Sequence, residues 1–101
     1  MKKIINGKRY NTETAKCLGR ASHNGLRNDF HYWEEDLYVT AKGNYFVVGS
    51  GGPMSRFSEA VGNGRYGGSD LRAVTRAEAF AWAEENDDVD EEHFADMLED
   101  A

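Results

Sequence analysis

Residues 84–101 carry ten carboxylates (Glu84, Glu85, Asp87, Asp88, Asp90, Glu91, Glu92, Asp96, Glu99 and Asp100) and no Lys or Arg. A row of acids has two readings. The simpler one is a solvated helix face that keeps the molecule dispersed. The sharper one is a rigid array of negative charge that competes for a surface built to hold phosphates. Duplex nucleic acid presents roughly one charge per 1.7 Å of axis. Carboxylates on successive helical turns, ~5.4 Å apart, imitate part of such an array. Acids of this kind also steer a protein rapidly toward a basic partner.

Other stretches that could do chemistry are weaker. Gly62, Gly64 and Gly67 spell G-x-G-x-x-G, but that dinucleotide fingerprint needs a strand before it and a helix after it. Here a helix is expected before and a short strand after, so the stretch reads as a loop, with Arg65 and Tyr66 forming a cationic–aromatic contact pair of the kind enriched at interfaces. The turn Gly49–Pro53 at an expected helix start offers backbone amides to an anion, yet lacks the Lys-Ser/Thr of a phosphate loop. His23, His31 and His93 have no metal-ligand spacing, and Asp88–Glu92 lacks the glycine and closing glutamate register of a calcium loop. No Ser/His/Asp or Cys/His arrangement can be placed. These residues lead us to expect no enzyme activity, no metal and no cofactor.

The formal charge of −6 conceals a polarised chain. Residues 1–83 hold all twelve Lys and Arg against eight acids, while 84–101 hold only acids. The basic body argues against mimicry over the whole surface. A sequence pI of about 5.0 disfavours direct binding of free nucleic acid. Aromatic content of 12% and a single proline favour one folded domain spanning 1–101. No stretch approaches the ~20 apolar residues of a membrane span. Lys2-Lys3-Ile4-Ile5 turns at Asn6-Gly7 before any signal-peptide apolar region develops. Cys17 is alone, which suits a reducing compartment and a cytoplasmic location, and it reads as a small apolar residue rather than a nucleophile.

The elements that must position the acids centre on Leu37–Gly52. Leu37–Thr40 and Asn44–Val48 are rich in β-branched and aromatic residues, and Ala41-Lys42-Gly43 joins them as a three-residue hairpin loop with glycine at the left-handed position. That register pairs Val39 with Tyr45 and Leu37 with Val47 on one face, with Tyr38 and Phe46 on the other; helices should cover the first face. Residues 2–10 form a second hairpin about Asn6-Gly7. A short helix is expected from Asn11 or Thr12 to Gly19, a loop over 20–30, and a helix from Pro53 to about Val61 with Met54, Phe57 and Val61 as its core stripe. Leu71–Val74 should be a strand. Thr75-Arg76-Ala77-Glu78 is a capping box that opens a helix carrying Ala79, Trp82 and Ala83 inward. A last helix should turn Phe94, Met97 and Leu98 inward. The expected architecture is α+β: a small antiparallel sheet with a central β-hairpin, packed against three to four short helices, ending in an acidic helical segment over 84–101.

Three stretches, KKIINGKRYNTETA, LYVTAKGNYFVVGSGGPMSRF and TRAEAFAWAEEN, resemble a family of small, mostly uncharacterised bacterial proteins carried on plasmids, prophages and other mobile elements. The resemblance spans residues 1–86 or so, and the GG-P/A-M-S-x-[FY] turn is its most recognisable part. It implies an accessory or anti-defence role, a setting in which anti-CRISPR inhibitors are the best-studied small proteins. It implies no catalytic residue, and the acidic tail here is longer than in the resembling proteins. The expected function is a non-enzymatic inhibitor whose partner is a protein, such as a CRISPR effector subunit. The acids Glu84 to Glu99 would occupy its basic nucleic-acid surface, with Arg65 and Tyr66 at the rim. Two alternatives are a general interaction or regulatory module of a mobile element, and a small anion- or nucleotide-binding domain using the Gly49–Pro53 turn.

Overall fold

The computed structural model describes residues 1–22, 32–51, 59–61, 64–66, 68–86 and 88–100. Among the described residues, nine strands run in chain order with two short helices: β1 (Lys2–Ile5), β2 (Lys8–Asn11), β3 (Lys16–Ser22), β4 (Trp33–Val39), β5 (Tyr45–Gly51), β6 (Glu59–Val61), β7 (Gly64–Tyr66), β8 (Gly68–Val74), α1 (Arg76–Glu84), β9 (Asp88–Val89) and a 3-10 helix, Glu91–Met97. The fold is therefore mostly β, and the expected α+β arrangement with three to four helices is incorrect. Five strands make an antiparallel sheet in the order β8-β5-β4-β3-β9, and β1-β2 and β6-β7 are separate two-stranded ribbons.

The central hairpin takes the expected register. Val39 pairs with Tyr45, Leu37 with Val47 and Tyr38 with Phe46. The Thr40 amide donates to the Asn44 carbonyl at 2.8 Å, and Gly43 turns the chain at φ +83°. Leu37 and Val47 join Leu18, Val39 and Tyr45 beneath α1 and the 3-10 helix, where Ala79, Trp82, Ala83 and Phe94 complete one core. Phe46 is 0% exposed on the opposite face, between the edge of Tyr10, at 5.4 Å, and the stacked ring of Tyr38, at 5.1 Å. The β1–β2 hairpin covers that face, with Tyr10, Phe46 and Leu71 as a second core. Its turn is left-handed at Asn6 and Gly7, as an Asn-Gly pair requires. Among the described residues no helix is long and apolar enough to cross a membrane.

Three local expectations are corrected. Residues 12–19 are not a helix. Asn11, read as a cap, instead accepts from the Glu13 amide at 3.0 Å and closes a turn. The chain then enters β3, which satisfies the far edge of β4, with a bulge at Leu18 that turns its side chain into the core. The helix expected from Pro53 lies outside the described residues over 52–58, and its expected last turn, Glu59–Val61, is strand. The C-terminal helix is of the 3-10 type: Phe94 points inward as expected, but Met97 and Leu98 are 36% and 47% exposed.

A carboxylate is built into the helix-side core. Glu35 on β4 is 4% exposed. It accepts from the Trp82 indole at 3.2 Å and from the Arg72 guanidinium at 2.9 Å. Gly49, the residue paired with Glu35 on the intervening strand, has no side chain, which leaves Arg72 a path from β8 across β5 to the carboxylate.

Gly19→Ala is expected to destabilise the protein by about 1–3 kcal/mol. Its Cβ would lie 2.6 Å from the Asp88 carbonyl and 2.9 Å from Val89, so β9 would have to leave the sheet edge. Chemical denaturation and loss of amide protection at Val89 measure both effects. Glu35→Ala, which strands a buried indole N–H, is expected to cost about 2–4 kcal/mol, with Trp82 fluorescence shifted toward that of a wetter indole.

Candidate functional site

The acidic edge is assembled from three short elements. The capping box begins α1: the Glu78 amide donates to the Thr75 hydroxyl at 3.1 Å and the Thr75 amide to the Glu78 carboxylate at 2.9 Å. These bonds hold the Glu78 carboxyl below its ordinary pKa. Ala79 and Ala83 let α1 lie close on the sheet, and the helix delivers Glu84 and Glu85 to an exposed end whose last turn has no basic residue. That end carries the negative pole of the helix dipole, so backbone and side chains add in sign. Asn86 then closes the helix, its side-chain amide donating to the Trp82 carbonyl at 2.6 Å.

The chain next pairs with β3 through Asp88 and Val89, and the Asp90 amide donates to the Leu18 carbonyl at 2.7 Å. The 3-10 helix follows. Phe94 anchors it against Phe80 and Tyr45, with ring centroids 5.8 and 6.4 Å apart, and the Tyr45 hydroxyl meets His93 Nε2 at 2.7 Å.

Glu84, Glu85, Glu91, Glu92 and Glu99 are exposed. Asp88 is exposed on β9, and Asp87 lies outside the described residues. Two acids are already engaged within the chain. Asp90 pairs with Lys16 at 3.0 Å, and Asp96 takes both oxygens to the Arg76 guanidinium at 2.7 and 2.9 Å. Lys16 and Arg76 are the leading reasons why those two carboxyls sit below the ordinary range. The expected row of carboxylates on successive α-helical turns is thus replaced by a bent edge running from the end of α1 through β9 into a 3-10 helix. Arg65 and Tyr66 lie in β7, paired with Ala60 and Glu59, rather than in a glycine loop. Their rim contact lies outside the described residues.

The Gly49–Pro53 turn is not the expected anion cradle over its described part. Gly49, Ser50 and Gly51 belong to β5 and pair with Asp70, Ser69 and Gly68, and the Ser50 hydroxyl donates to Glu34 at 3.3 Å. Gly52 and Pro53 lie outside the described residues. Among the described residues, no group of three or more His, Cys, Asp or Glu side chains could hold a metal.

One feature of the site has no clear local signal in the sequence. The ends of α1 and the 3-10 helix enclose a groove of about 250 Å³, with Phe80, Val89, Phe94 and Leu98 supplying an apolar floor and Glu84 and Glu91 an acidic lining. Leu98 is the readable hint, an apolar residue among acids, but its solvent-facing position depends on the helix type. The arrangement suits a cationic side chain, whose methylene stem packs on an apolar surface while its head reaches a carboxylate. No protein-family model, curated protein or solved structure matches the chain.

Acid should loosen this edge before the sheet. Asp90 and Asp96 have depressed pKa values when folded, so their stabilising contribution is complete above the ordinary carboxylate value, roughly 4, and is lost as pH falls through the folded values. Asp36 has the opposite sign. Burial is the leading cause of its raised pKa, Arg20 opposing, so its protonation on acidification favours the folded state. Hydrogen exchange below pH 4 is expected to release residues 91–97 ahead of β4 and β5, and Asp96→Asn to remove part of that pH dependence. Simultaneous release of helix and sheet would refute this order.

Proposed function

We propose that the protein is a non-enzymatic inhibitor of a bacterial nucleic-acid-directed defence system, acting in the cytoplasm by occupying a basic nucleic-acid-binding surface of a CRISPR effector subunit. The observation that supports this most is the placement of Glu84, Glu85, Glu91 and Glu92. All four are exposed, Glu84 and Glu91 line the apolar groove, and none of the four forms an ion pair with another described residue. A basic surface that ordinarily holds phosphates would meet carboxylates and a helix C-terminus of the same sign. The apolar floor adds what a purely electrostatic decoy lacks, a place to bury the stem of an arginine or lysine. The resemblance to mobile-element proteins supplies the anti-defence setting.

The groove also favours a second reading, a general interaction module of a mobile element that takes a basic segment of some other host protein. The two differ in what the partner does with nucleic acid. The test is inhibition of target-DNA binding by a panel of purified CRISPR effector complexes. Replacing Glu84, Glu85, Glu91 and Glu92 together by Gln is expected to weaken inhibition about tenfold or more at low salt, mainly through slower association. Asp96→Asn, at an acid already paired internally, should have a much smaller effect. Unchanged inhibition by the fourfold variant at low salt would exclude the mechanism, and no inhibition of any effector by the parent would leave the general module as the better reading.

A further inference from the structure

We propose a second binding site, independent of the acidic edge, in the cleft between the two left-handed hairpin turns, and assign it to a ligand bearing consecutive phosphates. The cleft measures about 420 Å³ and is walled by Lys8 and Arg9 from the start of β2 and by Lys42 from the β4–β5 turn, with Thr14, Thr40 and Asn44 between them. Its volume falls in the range of small-molecule sites, roughly 300–1,000 Å³. Among the described residues no carboxylate lines it, in a chain where acids outnumber bases eighteen to twelve.

Most other described cations, Lys2 excepted, are engaged within the chain. Lys3, Lys16, Arg20, Arg72 and Arg76 each lie beside a carboxylate of the protein. Lys8, Arg9 and Lys42 are exposed and form no ion pair with a described residue. Their convergence is tertiary, because Lys42 is brought beside Lys8 only when the β1–β2 hairpin docks on the sheet. Lys8 is steadied there by donating to the Asn44 side chain at 3.3 Å. Neighbouring hydrogen bonds leave a donor for a ligand. The Thr40 hydroxyl oxygen accepts from the Asn44 amide at 3.1 Å, so its own proton is available.

Three like charges held close together repel one another, and an anion of high charge density relieves that repulsion best. Arginine supplies a planar fork for two oxygens, and the lysines are point charges that tolerate several phosphate positions. An acidic peptide would bring one charge per flexible side chain and lose more conformational entropy on binding. The same chemistry is presented by a free oligophosphate and by a single-stranded nucleic-acid backbone.

The test is a titration of the full chain, followed by amide NMR, with sodium triphosphate, a twelve-nucleotide oligo-dT and a glutamate peptide of equal charge to the triphosphate. Saturable shifts at Gly7, Lys8, Lys42 and Gly43 are expected with triphosphate, weakened about tenfold or more in the Lys8→Gln/Lys42→Gln double variant. Both substitutions are at exposed positions, and Lys42→Glu alone, in the turn, should weaken binding as strongly. Tighter binding of oligo-dT, falling steeply with salt, would assign the site to a nucleic-acid backbone; tighter binding of triphosphate would assign it to a small oligophosphate. No saturable shift at millimolar triphosphate, unchanged affinity in both variants, or equal or tighter binding of the glutamate peptide would overturn the proposal.

Discussion

The structure depends on a strand pair buried from both sides. Leu37 and Val47 face α1 while Tyr38 and Phe46 face the β1–β2 hairpin, and Leu37 and Phe46 are both inaccessible to solvent. Period-two alternation usually leaves one side of an antiparallel sheet polar. Here both sides are apolar, so two covering layers are required. Burial of a large side chain contributes about 1.5–3 kcal/mol relative to leaving it exposed, and a domain of 101 residues has little else to draw on. The helix on one face and the ribbon on the other follow from that need.

Covering both faces also decides where charge collects. The helix-side layer ends in α1 and the 3-10 helix, which carry the acids. The ribbon brings Lys2, Lys3, Lys8 and Arg9 to the other face. Polarity along the sequence becomes polarity in space because the two ends of the chain form opposite layers of one sheet. Two ion pairs, Lys16–Asp90 and Arg76–Asp96, tie the acidic segment to the body. They are exposed and individually weak. Their role is to hold the segment in place, which leaves Glu84, Glu85, Asp88, Glu91, Glu92, Glu99 and Asp100 as its outward-facing charge. The buried Glu35 serves a different end. By engaging Trp82 and Arg72 it ties α1 and β8 to β4, and such a polar bond in a core specifies one arrangement where apolar contacts alone tolerate several.

Much of the centre was legible in the residues themselves. Alternating apolar types about Ala41-Lys42-Gly43 specified the register of β4 and β5, Asn6-Gly7 specified a hairpin, and Thr75 with Glu78 specified the start of α1. In each case a handful of neighbouring residues carries the whole physical reason: a left-handed turn, a period of two, a reciprocal cap. The misread elements lack that property. Residues 12–19 have both helix-cap and turn chemistry at Asn11, and the choice was made by the unpaired edge of β4, more than twenty residues away. The acidic segment suggested a helix by composition, but it became a short strand and a 3-10 turn because Val89 completes a sheet edge and Phe94 fills a core.

The sequence by itself determined the central hairpin, the helix cap and the separation of charge along the chain, because each is a local pattern or a sum over residues. Only the tertiary structure decided which acids face outward, that an apolar groove lies among them, and that Lys42 stands beside Lys8 and Arg9. Those are relations between residues far apart in the chain, and they exist only once both faces of one hairpin have been covered.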